Sequence, residues 1–292
     1  MALEIEQFLH TERLPHMWCA GCGIGIVTGA LVRAMVDLGL KREETVVVGG
    51  VGCSSRAAGY VDVGSMHTIH GRALAFATGI KMSRPEFTVI VLTGDGDGAA
   101  IGGNHLIHAC RRNIDLTCIL YNNQVYGMTG GQISPQADRG DRATTSPYGQ
   151  VEESFDLCRL TQAAGATFVA RGIAADIRPL QAMIKQAIEH PGFSFVEAVV
   201  PCPTEYGKRN AKGGVLAMLD DEKARAMDAG AAAKLPPEER AGKIITGVLH
   251  RDVTRPEYQR SYAVIVERAQ AEAEAEAIAI AEPPGEPGEE SH

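Results

Sequence analysis

Val89-Ile90-Val91-Leu92-Thr93-Gly94-Asp95-Gly96-Asp97-Gly98 begins as an unbroken apolar run and stops abruptly at Gly-Asp-Gly. A second apolar run, 116–120, stops at Tyr121-Asn122-Asn123. About one helix separates the two stops, which is the spacing of a strand–helix–strand unit. Asp95 and Asn123 then stand just past the ends of neighbouring strands and present one carboxylate and one amide to a single hard cation. Mg²⁺ carrying a diphosphate suits that pair, because Mg²⁺ takes a few protein oxygens together with phosphate oxygens. The glycines let the backbone come close to such a group.

Outward from this unit the same rhythm repeats. A short buried strand at 46–48 ends in Gly49-Gly50-Val51-Gly52-Cys53-Ser54-Ser55-Arg56, and a strand at 193–200 ends in Pro201-Cys202-Pro203-Thr204. A further strand is predicted at 167–170. Helices are predicted at 24–38, 73–82, 99–112, 155–164 and 177–189. The Gly/Thr/Ser/Pro-rich stretch 125–148 reads as a long loop, a type that is commonly functional in compact domains. This βαβαβ succession predicts an α/β fold, a mainly parallel sheet flanked by helices. Ligands bind such sheets at the carboxyl ends of the strands. Four strand ends here carry chemically loaded segments: 52–56, 94–98, 122–125 and 202–205.

The 292 residues are enough for one large or two modest domains, and 45% hydrophobic content is enough for a sizeable core. A formal charge of −8 argues against a nucleic-acid partner. No apolar run reaches the roughly 18 residues of a membrane span, and the acidic N-terminus lacks a signal-peptide layout. A cytoplasmic location with reduced thiols is expected, so the seven cysteines read as ligands or core residues rather than disulfides. Past residue 210 the character changes. Residues 211–250 are Ala/Lys/Gly-rich with charged helical pieces, and 258–281 reads as one helix of strong helix formers. The chain thus divides into an α/β domain at 1–210, a helical C-terminal extension at 211–282 and a disordered tail at 283–292.

Cys19-Ala20-Gly21-Cys22 is a tight turn whose spacing alone leaves three readings open: a redox pair, half of a zinc ribbon, or part of an iron–sulfur site. The ribbon lacks its second Cys-x-x-Cys. Cys53 and Cys202 sit at predicted strand ends, and four thiolates match the count for a [4Fe–4S] cluster. Cys110, Cys118 and Cys158 fall within predicted helices or a strand and read as buried core. His70 and Arg72 read either as a satisfied core histidine and a surface arginine or as part of a site. Arg56 is either solvated or a clamp for a carboxylate, which the guanidinium fork suits. Lys81, Arg84, Arg111 and Arg112 read as solvated helix faces.

Taken in order, Trp18-Cys19-Ala20-Gly21-Cys22-Gly23, Gly52-Cys53-Ser54-Ser55-Arg56, His70-Gly71-Arg72-Ala73, Gly94-Asp95-Gly96-Asp97, the run 122–132 and Pro201-Cys202-Pro203 resemble the beta subunit of a 2-oxoacid:ferredoxin oxidoreductase. The resemblance covers residues 15–210. The segment 202–210 leans toward the 2-oxoglutarate members. Pyruvate-type members carry a carboxylate where this chain has Ile24 and an asparagine where it has Met128, so pyruvate is the poorer match.

The resemblance implies a role for each matching position. Asp95, Asn123 and the Val125 carbonyl would hold Mg²⁺ on thiamine diphosphate. Gly94, Gly96 and Asp97 would approach the diphosphate, and Gly52, Cys53, Ser54 and Thr129 would lie beside the cofactor. Cys19, Cys22, Cys53 and Cys202 would ligate one [4Fe–4S] cluster. Arg56 and His70 would face the 2-oxoacid, and Met128 would line its pocket. The implied reaction is reversible oxidative decarboxylation with coenzyme A to an acyl-CoA and carbon dioxide, with electrons passing through the cluster to ferredoxin. The carboxylate that activates the aminopyrimidine ring has no counterpart here. A larger alpha subunit carrying the pyrimidine-binding domain is therefore expected, in an α2β2 assembly. Two rival classes each leave something idle. A non-enzymatic iron–sulfur protein has no use for Gly-Asp-Gly and Asn-Asn, and a non-redox thiamine decarboxylase or synthase subunit has none for the four cysteines.

Overall fold

The computed structural model describes residues 2–281. Its strands in chain order are β1 (Thr45–Gly49), β2 (Gly64–His67), β3 (Thr88–Gly94), β4 (Leu116–Asn122), β5 (Val125–Tyr126), β6 (Gln132–Ile133), β7 (Phe168–Ile173), β8 (Phe193–Val199), β9 (Ala226–Asp228) and β10 (Ile244–Arg251). Eight of them form one sheet in the order β2-β1-β3-β4-β8-β7-β10-β9. Every pairing is parallel except that of β10 with β7. The mainly parallel α/β sheet is therefore as expected.

Alternation along the central strands sorts side chains between two helical layers, because successive residues of a strand point to opposite faces. Ile90 and Leu92 of β3 and Ile119 and Tyr121 of β4 join the core under helices Ile24–Asp37 and Ile177–Glu189. Val89, Val91, Cys118 and Leu120 join the opposite core, under helices Ala73–Ser83, Gly103–Arg112 and Leu157–Ala163. Cys110, Cys118 and Cys158 are buried free thiols in this second core, as expected.

Four features differ from the sequence reading. The stretch read as the start of a helix at 99 is a wide turn over Asp95–Ile101, and regular helix begins only at Gly103. The edge strand β2, Gly-Ser-Met-His, has no apolar alternation and takes its extended form from pairing with β1. The segment read as helical pieces, 211–250, also contributes β9 and β10. Ile244–Arg251 lies antiparallel on β7 and extends the sheet. Its apolar residues were obscured by the surrounding Ala/Lys/Gly composition. Lys81 is not solvated: it is 5% exposed, pairs with Asp115 at 2.6 Å and donates to the Phe87 carbonyl. The single long helix was read correctly, at Tyr258–Ala281, and the tail 283–292 lies outside the described residues.

Candidate active site

The parallel register brings the loaded strand ends side by side. Gly94 stands opposite Tyr121 and Asn122 opposite Val199, so β3, β4 and β8 finish together. Every residue assigned above to the cofactor, from Gly52 to Thr129, lines one cavity of about 100 Å³, and His70 joins them. Arg56 does not: it is exposed, with Nε 3.3 Å from the Met17 sulfur.

Asp95 is 3% exposed, and burial pushes its carboxyl up to about 6, partly offset by its hydrogen-bond donors. Oδ1 accepts the Gly96 N–H at 2.9 Å, and Oδ2 accepts the Ser134 hydroxyl at 2.6 Å. A desolvated carboxylate of this kind is stabilised as an anion by a bound cation. Asn123 Oδ1 receives the Val125 N–H at 3.4 Å, across a turn in which Gln124 is left-handed (φ 63°). One carboxylate, one amide and the Val125 carbonyl make an all-oxygen set that suits Mg²⁺ with phosphate completing the shell. A Cβ at Gly96 would run into the Tyr126 ring, so this close approach requires glycine.

Asp97 belongs to a different structure. Its Oδ1 accepts from His70 Nδ1, Gly71 N–H and Val51 N–H, and its Oδ2 from the Thr93 hydroxyl. Both oxygens are thus engaged by the chain's own donors. Asp97 ties the loop after β1 and the 70–71 turn to the end of β3, and it orients His70, whose Nδ1 is taken.

Beside this cavity lies a second of about 100 Å³, lined by Cys19, Cys22, Cys53 and Cys202 together with Trp18. The Cys-x-x-Cys turn is closed by Cys22 N–H on the Cys19 carbonyl, and Trp18 Nε1 holds the Cys53 carbonyl at 2.7 Å. A Cβ on Gly127 would lie 3.7 Å from Cys202 Sγ and 3.8 Å from Cys53 Sγ. Burial, with smaller contributions from the neighbouring sulfurs, pushes the Cys22 thiol up to about 12, and Cys53 and Cys202 also rise. Such a ring of thiols ionises only around a strongly positive centre. Among the described residues no three Cys, His, Asp or Glu side chains close on a single-ion site. Four thiols spread around a cavity fit a polynuclear cluster better than one zinc ion. The two cavities share Cys53, Asn123, Gly127 and Met128 as a common wall.

A larger cavity of about 510 Å³ is lined by Asn122 and Gln124, whereas Asn123 and Val125 line the cavity that holds Asp95. Sequence reading missed Ser134 and Glu197. Both act through partners far along the chain, and a hydroxyl in a Gly/Ser/Pro loop carries no periodic signal.

The thiamine pyrophosphate enzymes match this chain through their C-terminal TPP binding domain, over residues 50–198. The 2-oxoglutarate synthase subunit KorB of Methanocaldococcus jannaschii is 47% identical over 265 residues, covering 91% of this chain and 98% of that protein. The chain belongs to the beta-subunit family of the 2-oxoacid:ferredoxin oxidoreductases. Another family member, the KorB of Methanothermobacter marburgensis, is 48% identical, covering 90% of this chain and 92% of its own. The solved 2-oxoglutarate:ferredoxin oxidoreductase from Magnetococcus marinus, with 2-oxoglutarate, coenzyme A and succinyl-CoA bound, superposes with a TM-score of 0.83 at 34% identity, covering 96% of each chain. As a member of this family the chain is one subunit of an oxidoreductase complex, and neither rival class fits it.

Proposed function

We propose that the chain is the thiamine diphosphate-binding beta subunit of a 2-oxoglutarate:ferredoxin oxidoreductase. The complex would convert 2-oxoglutarate and coenzyme A to succinyl-CoA and carbon dioxide, reversibly, with electrons leaving through one [4Fe–4S] cluster to ferredoxin. The observation that carries this reading is the common wall between the oxygen-lined cavity and the thiol-lined one. In this reading the site of carbon chemistry adjoins the site of electron storage. The names of the similar proteins support the choice of substrate.

In this reading Asp95, Asn123 and the Val125 carbonyl hold Mg²⁺ and thereby the diphosphate, and Cys19, Cys22, Cys53 and Cys202 hold the cluster. When bound, thiamine diphosphate supplies an electron sink for loss of carbon dioxide. The chain's own contribution is positioning and exclusion of water. Of the two residues assigned to the substrate, this chain places only His70 at the cofactor cavity, because Arg56 stands outside it.

A partner completes the site. Ile69 (71%), Ile101 (50%) and Met128 (45%) are exposed apolar residues on or close to the segments that form the cofactor cavity. We read these side chains as part of a surface that another subunit covers. We assign it to an alpha subunit bringing the activating carboxylate, in an α2β2 complex. No helix among the described residues is long and apolar enough to cross a membrane, and a cytoplasmic site of action is part of the proposal.

The test is turnover by the co-expressed complex of 2-oxoglutarate, pyruvate and a branched-chain 2-oxoacid, each with coenzyme A and ferredoxin. The proposal expects 2-oxoglutarate to have the highest kcat/KM. A preference for either other acid would overturn the substrate assignment and leave the family membership standing.

A further inference from the structure

We propose that Ser134 is a positioning residue of the metal site, fixing the orientation in which the Asp95 carboxylate meets its cation. This rests on the reading of Asp95 as a Mg²⁺ ligand. Ser134 is 1% exposed and its Oγ lies 2.6 Å from Asp95 Oδ2. The hydroxyl donates, because an ionised carboxylate only accepts, and Ser134 Oγ in turn accepts the Gln136 N–H at 3.2 Å. Asp95 Oδ1 is held separately by Gly96 N–H. Donors from segments far apart in the chain therefore hold both carboxylate oxygens.

The hairpin geometry makes the coupling specific. Val125 on β5 pairs with Ile133 on β6, and Ser134 is the next residue. One short hairpin thus carries a proposed metal ligand on its first strand and the Asp95 donor just past its second. Gln124 Nε2 reaches the Gln136 carbonyl at 3.3 Å and adds a further tie between the two sides. Asp95 comes from the end of β3, while Asn123 and Val125 follow β4. Ser134 is the side chain that links these two groups of ligands. Hydrogen-bond partners of metal ligands typically matter about 10–100-fold in metal affinity.

The experiment measures the Mg²⁺ concentration that half-saturates thiamine diphosphate binding in the complex purified with its partner and stripped of cofactor. Wild type is compared with Ser134→Ala, Ser134→Thr, Ser134→Val and Asp95→Asn. The proposal expects Ser134→Ala to raise that concentration about 10–100-fold while the thermal midpoint of the stripped complex stays near wild type. Threonine keeps the hydroxyl and restores affinity. Valine has the same shape without the hydroxyl and does not. If alanine fails to yield folded complex, the threonine–valine pair decides. Wild-type Mg²⁺ dependence in Ser134→Ala or Ser134→Val, with Asp95→Asn impaired, overturns the role of Ser134. Wild-type dependence in Asp95→Asn overturns the metal reading itself.

Discussion

Asn122 donates its side-chain amide to the buried carboxylate of Glu197 at 2.7 Å, while the next residue, Asn123, lines the cofactor cavity. Glu197 is 2% exposed and also accepts Arg171 Nε at 2.7 Å, from the directly opposed position on β7. The Cys158 thiol completes the set at 3.2 Å. This buried network anchors the strand end from which the proposed metal ligands project. Glu197→Ala should leave the Arg171 guanidinium with only the half-exposed Asp156, a loss of about 3 kcal/mol in stability. Thermal unfolding of the complex checks this. An unchanged midpoint would show that the network does not hold the turn.

Gly50 makes a sharper steric prediction. A Cβ there would collide with the Asp97 carboxylate, which four donors hold in place. Gly50→Ala should cost about 1–3 kcal/mol, as overpacking does, and should lower thiamine diphosphate content. Gly103→Ala is the matched control, because its Cβ would meet open space at the start of a helix. Retention of cofactor by both variants would show that the Asp97 knot yields more easily than its hydrogen bonds imply.

Part of this arrangement is written locally in the sequence and part is not. Apolar runs stopping at Gly-Asp-Gly and Asn-Asn are local signals, and they located β3, β4 and residues that line the candidate cofactor cavity. The four cysteines were legible by type and by their place at turns and strand ends. Partners such as Asn122 and Glu197, or Ser134 and Asp95, were not, since each pair meets only through the parallel register or the fold of a long loop. The edge strands β2 and β9 take their extended form from the strand beside them, whereas β10, between β7 and β9, has apolar residues of its own that the Ala/Lys/Gly-rich surroundings obscure. Lys81 lies beyond the reach of such local signals, because helix-face periodicity says little about which long cation finds an acid across the fold.

Glu222 predicts a pH dependence. It is 6% exposed and accepts the Ala175 N–H at 3.2 Å, and burial pushes its carboxyl from 4.5 up to about 8. Between these values the folded chain keeps a proton that the unfolded chain has lost. The stabilisation is therefore complete below about pH 4.5 and disappears as pH rises through about 8. Glu222→Gln keeps an acceptor for Ala175 without the charge. Its thermal midpoint should match wild type near pH 5 and exceed it increasingly toward pH 8.5, by roughly 2–4 kcal/mol in stability. A constant gap across that range would contradict the assignment of a buried, proton-retaining carboxyl.

Cys53, Asn123, Gly127 and Met128 form the wall shared by the oxygen-lined and thiol-lined cavities, so chemistry in one should register in the other. The visible spectrum of the anaerobically purified complex is recorded before and after 2-oxoglutarate and coenzyme A are added without ferredoxin. A brown protein that bleaches on adding substrate is predicted, as electrons from the carbon chemistry lodge in the adjacent cluster. A colourless preparation, or a brown one whose absorption the substrate leaves unchanged, would contradict it.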